Sequence, residues 1–83
     1  LSHRHEKVRA RIEERPTRAD LTWREVIALF VAMGAHVTEG SGSRIRVVLN
    51  GRAAVFHRPH PGKELTKSSV DSVRRFLTEA GVP

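Results

Sequence analysis

The sequence has no cysteine, no tyrosine, a single tryptophan and a single methionine. It also has no apolar run approaching the ~20 residues of a membrane-spanning helix. Without cysteine there is neither a disulfide framework nor a thiolate zinc site, which suits a reducing cytosol. The charged N-terminal residues hold no signal-peptide core, so a soluble, cytoplasmic protein with no membrane partner is expected. At 83 residues the chain is one small domain with a modest core, poorly suited to a deep, enclosed catalytic cavity. What it does have is positive charge. Fifteen Lys and Arg against nine Asp and Glu leave a formal charge of +6, which favours a polyanionic partner such as nucleic acid or an acidic protein.

Hydrophobic spacing divides the chain into elements. Residues 4–15 offer only Val8 and Ile12 at helical spacing among mixed charges, predicting a short helix with a narrow buried stripe, ended by Pro16. "PTRAD" reads as a linker. A stronger helix opens at "LTWREV", where Thr22 and Glu25 form a capping box and Leu21 and Val26 stand at hydrophobic-staple positions. Val26, Ile27, Phe30, Val31 and Met33 are expected on its core face, with Gly34 after its end. Trp23 in its first turn suits a core edge better than a base-stacking platform. "AHVTE" is a short strand candidate, followed by the turn "GSGS". "RIRVVL" and "RAAVFH" then flank Asn50-Gly51, the pair that tolerates positive φ at both centres of a type I′ turn. Thr66 caps a last helix with Val70, Val73, Phe76, Leu77 and Ala80 inward and Gly81 at its end, while Arg74 and Arg75 complement its dipole. The order implies an α+β domain with both main helices on one face of a three-stranded antiparallel meander.

A two-residue turn sets the hairpin register: Leu49 opposite Arg52, Val47 opposite Ala54, Ile45 opposite Phe56 and Arg44 opposite His57. Alternation then gives Ile45, Val47, Leu49, Ala54 and Phe56 to the core, and leaves Arg44, Arg46, Val48, Ala53, Val55 and His57 on the other face. Arg44 and His57 become cross-strand neighbours at the end far from the turn. Pro59 and Pro61 stop the ladder and can turn His60 and Lys63 toward the same edge. RNA cleavage through the neighbouring 2′-hydroxyl suits this set. An imidazole moves protons near neutrality and a guanidinium holds the phosphate as its charge grows, with no metal or cofactor required. The alternatives are ordinary loop histidines, a solvated cationic face, or a surface for a protein partner. A metal site at His57-x-x-His60 lacks a nearby third ligand and a helical context.

The stretches "GAHVTEGSGSRIRV", the Asn-Gly hairpin, "HPGKEL" and the closing "FLTEAGV" together resemble the HicA-type mRNA interferase toxins of type II toxin–antitoxin pairs. The resemblance spans about residues 21–82. It divides the chain into an N-terminal helical extension and linker, residues 1–20, and an α-β-β-β-α domain, residues 21–83, similar in fold to a double-stranded-RNA-binding domain. It implies ribosome-independent endonucleolytic cleavage of mRNA, and neutralisation by a HicB-type antitoxin, through which oligomers can form. The family usually carries Gly-Ser-His at the start of its second strand, with that histidine catalytic. Here the matching residues are Gly42, Ser43 and Arg44. His60 matches a histidine often found before Gly-Lys-Glu-Leu, whereas His57 has no clear counterpart. The catalytic candidates are therefore His57, His60 and Arg44, with Ser43, Arg46, Arg58, Lys63 and Lys67 as RNA contacts. The alternative is a module that binds RNA or its partner through the same face without cutting.

Overall fold

The computed structural model describes residues 1–58 and 64–83, in the order α1 (His3–Glu13), α2 (Trp23–Ala32), β1 (His36–Glu39), β2 (Arg44–Leu49), β3 (Arg52–His57) and α3 (Lys67–Glu79). The strands form one antiparallel sheet in the order β1-β2-β3. The architecture is the expected α+β one, a helix, a three-stranded antiparallel sheet and a helix, preceded by an extra helix, and it is consistent with a double-stranded-RNA-binding-domain-like fold. Among the described residues no helix is long and apolar enough to cross a membrane.

Local signals account for the element ends. At α2 the Thr22 hydroxyl accepts from the Glu25 backbone N–H at 3.2 Å, and a Glu25 carboxylate oxygen accepts from the Thr22 N–H at 3.0 Å, which completes the capping box. Leu21 and Val26 are both buried, as a staple requires. Thr66 caps α3 by accepting from the Ser69 N–H at 3.1 Å. Helix α1 stops at Glu13, two residues earlier than its charge pattern suggests. Glu14 is already extended, and the residue before Pro16 is biased against helical geometry. In the hairpin turn Asn50 has φ 51° and Gly51 φ 78°, the paired left-handed geometry of a type I′ turn. All four predicted cross-strand pairs are present.

One apolar cluster joins all three helices to the inner face of the sheet. Phe56 of β3 lies at its centre, stacked on Phe30 at 5.8 Å and edge-on to Phe76 at 5.7 Å, with Trp23 at 6.3 Å. Trp23 is buried, so it belongs to the core and offers no stacking platform. Two expectations are corrected. Val31 is 58% exposed while Leu29 is fully buried, because a 3.6-residue period puts Leu29 beside Val26, Phe30 and Met33 and turns Val31 to the opposite side. Arg74 does not serve the α3 dipole: it is only 8% exposed and reaches back to the N-terminal segment. Its Nε donates to the Ile12 carbonyl at 2.9 Å, Nη2 donates to the Glu14 carbonyl and the Thr17 hydroxyl at 3.2 Å each, and Nη1 pairs with Asp71 at 2.9 Å. Arg11 holds the other side of α1 through Glu25 at 3.0 Å. Val8 and Ile12 thus enter the common core.

Candidate functional site

Among the described residues the sheet has one covered and one bare face. Ile45, Val47, Leu49 and Phe56 are buried against the helices. By alternation, three cross-strand rows fill the other face: His36, Val48 and Ala53 nearest the Asn-Gly turn, then Thr38, Arg46 and Val55, then Arg44 and His57. Arg44, Arg46, His36 and His57 are all exposed, and Val55 at 60% exposure is the one large apolar side chain bared on this sheet among the described residues.

The geometry of the Arg44–His57 row follows from the turn. In a two-residue hairpin the residues flanking the turn, Leu49 and Arg52, exchange hydrogen bonds, and so does every second pair beyond them. The Arg58 N–H donating to the Ser43 carbonyl at 2.8 Å continues that alternation. Arg44 and His57 are therefore a non-hydrogen-bonded pair, the kind whose Cα atoms approach to about 4.5 Å with side chains closest together. Phe56, fixed in the aromatic cluster, sends its neighbour His57 to the bare face. Arg44 and His57 are thus cross-strand neighbours on the bare face, with Arg46 two residues along the same strand as Arg44.

The other sequence candidates divide. Ser43 is half-buried, and its carbonyl is used by Arg58. Arg58 lies on the helix side of the sheet edge, where its Nη2 donates to Glu39 at 2.7 Å, so its charge is already partly neutralised. Lys67 is exposed at the first position of α3. His60 and Lys63 lie outside the described residues. Sequence reasoning missed His36 and Thr38. The signal was available, since continuing the alternation of β2 into β1 puts both beside Val48 and Arg46. Among the described residues no three His, Asp or Glu side chains converge as metal ligands.

The perturbed carboxylates are elsewhere. The Thr22 backbone N–H, with Arg11 behind it, holds the Glu25 carboxyl below its ordinary range, and the Thr17 hydroxyl, with Arg74, does so for Asp71. Both belong to the seam between α1 and the rest of the molecule, and a third, Asp20, held low by the Arg18 guanidinium, lies in the segment between α1 and α2. On the bare face the chemistry rests on exposed cations and imidazoles alone, a surface fit to bind a phosphodiester chain.

No curated protein and no solved structure gives a significant match to the chain. The family model described as the HicA toxin of bacterial toxin–antitoxin systems matches residues 23–82, from the first residue of α2 to just past α3. That span holds the whole sheet, both main helices and the bare cationic face, and the chain belongs to the HicA toxin family.

Proposed function

We propose that the protein is an endoribonuclease toxin that cleaves mRNA through the ribose 2′-hydroxyl and is neutralised by a HicB-type antitoxin in the cytoplasm. The observation that carries this reading is the Arg44–His57 pair on an uncovered cationic sheet face, in a chain of this toxin family. The His57 imidazole takes the proton of the 2′-hydroxyl as the oxygen attacks the adjacent phosphorus. The Arg44 guanidinium forms charge-assisted hydrogen bonds with the phosphate oxygens as negative charge builds on them. The bond to the 5′-oxygen breaks, leaving a 2′,3′-cyclic phosphate and a free 5′-hydroxyl. Water or a second imidazole, for which His60 is the sequence candidate, supplies the leaving-group proton. Arg46 extends phosphate binding along the strand, and Ser43, Arg58, Lys63 and Lys67 are the peripheral RNA contacts proposed with it.

This assignment makes His57 the functional replacement for the histidine that the family usually carries where Arg44 stands here. An exchange across the ladder moves the proton-transfer group by about 5 Å, within reach of the same phosphate once the RNA shifts by one strand spacing. The test is incubation of purified protein with a defined RNA in EDTA, with the product ends identified. Fragments ending in cyclic phosphate are expected, abolished by His57→Ala. Full cleavage by the His57→Ala, His60→Ala double variant would sink the mechanism. Arg44 in place of histidine also favours a second reading, RNA or antitoxin binding without cleavage. It predicts salt-sensitive binding, lost on Arg44→Ala or Arg46→Ala, and intact RNA throughout.

A further inference from the structure

Among the described residues β3 is an outer strand of the sheet with no partner on its far side. Because Arg52, Ala54 and Phe56 spend their backbone hydrogen bonds on β2, Ala53, Val55 and His57 direct theirs the opposite way. Those three N–H and three C=O groups find no partner among the described residues. Strand edges are commonly protected by shortness, bulges, lysine or proline. β3 has six residues in unbroken register and neither Lys nor Pro within Arg52–His57. Beside it, against α3, runs a groove of about 480 Å³. Its helix wall presents the short side chains of Ser68, Ser69 and Ser72, with Phe76 also lining it and Arg75 exposed.

We propose that this edge receives an extended, acidic segment of the antitoxin as a fourth, added strand. The inference rests on the toxin–antitoxin reading above and names the surface the partner uses. Alternating donors and acceptors at strand spacing are matched by another strand, whereas phosphate oxygens of an RNA backbone only accept. Five or six residues of extended chain, about 17–20 Å, span Ala53 to His57. Serines on the facing helix leave room for that backbone. Charge selects an acidic occupant: Arg52, His57 and Arg75 border the groove, its one acidic lining residue, Glu79, lies 3.8 Å from Arg52, and the chain as a whole carries +6. The same charge disfavours a second copy, which would bring like cations together. On the bare face, side chains of the added strand would flank Val55 and His57, so docking at the edge would also screen the imidazole without covering Arg44.

The experiment uses the ¹⁵N-labelled chain, free and in complex with the antitoxin expressed from the neighbouring reading frame. Amide exchange at Ala53, Val55 and His57 should slow by roughly tenfold or more in the complex, while Ala54 and Phe56, already bonded within the sheet, change little. Val55→Pro removes one outward N–H without touching a bond to β2 and should weaken the complex by roughly tenfold, whereas Val55→Thr, which keeps that N–H, should stay within about threefold. Should Val55→Pro fail to fold by circular dichroism, the exchange measurement on the unaltered chain decides alone. A complex in which the three amides exchange as in the free chain would overturn the strand addition and leave the toxin reading intact. Absence of any complex would overturn both. Protection induced by an RNA oligonucleotide instead, or by concentrating the chain alone, would overturn the assignment to a protein partner in favour of RNA or a second copy.

Discussion

Arg74→Ala measures whether the N-terminal helix is part of the folded unit. The side chain is nearly inaccessible and supplies hydrogen bonds to the Ile12 and Glu14 carbonyls, the Thr17 hydroxyl and the Asp71 carboxylate. The Asp71 pair counts for little, since the carboxylate is about half exposed and surface pairs contribute ~0–1 kcal/mol. The bond to the Ile12 carbonyl, beside a fully buried side chain, matters more. Stranding a buried acceptor costs about 1–3 kcal/mol, and losing the guanidinium bonds to Glu14 and Thr17 adds to that. Together they give a loss of about 3 kcal/mol, against a total of roughly 4–12 kcal/mol for a chain of this length. Urea unfolding should show the loss as a lower midpoint, and thermal unfolding as a drop of roughly 12–24 °C. Arg74→Lys keeps the charge but not the planar fork, and should fall between wild type and alanine. Amide exchange distinguishes detachment from global weakening: if α1 peels away, Val8 to Ile12 exchange faster while the sheet amides hold. A stability change within about 0.5 kcal/mol for Arg74→Ala, with α1 still protected, would refute the reasoning.

Asn50→Ala should cost about 1–3 kcal/mol in thermal unfolding, because alanine lacks the short polar side chain that lets asparagine tolerate left-handed backbone, and because the bond from Asn50 Nδ2 to the Ala80 carbonyl at 2.9 Å is deleted. Asn50→Gly deletes the same bond but takes the left-handed conformation freely, and should cost less; equal losses would contradict this division. Glu25 titrates below its ordinary 4.5, so its stabilising contribution is complete above that value and disappears as pH falls through the depressed one. The stability gap between wild type and Glu25→Gln, read from urea midpoints, should therefore close on acidification. A gap that did not narrow as the pH fell would argue against the Thr22 and Arg11 contacts as its source. Arg46→Ala should weaken RNA binding across sequences and lower the slope of log affinity against log salt by about 1, as expected for a phosphate contact. An unchanged slope would remove Arg46 from the interface.

Much of the candidate site was legible because it depends on local rules. Asn50-Gly51 permits the type I′ turn, the turn sets register, and register with two-residue alternation puts Arg44 opposite His57 on the face away from Phe56. The capping box of α2 and the Thr66 cap of α3 are equally local, made between residues three apart. His36 and Thr38 required only the same alternation carried into β1, and were missed for want of that step.

Local rules fail where a side chain's partner is distant in sequence. Arg74 looks like a helix-end cation until α1 folds back and presents the Ile12 carbonyl from 62 positions away. Arg58 looks like a free cation until Glu39 comes within 2.7 Å of it. Sequence alone determined which residues alternate, cap and turn, because those constraints act over a few residues of backbone. Tertiary structure decided which cations remain unpaired and which strand edge stays open among the described residues, because both depend on what the rest of the chain brings alongside.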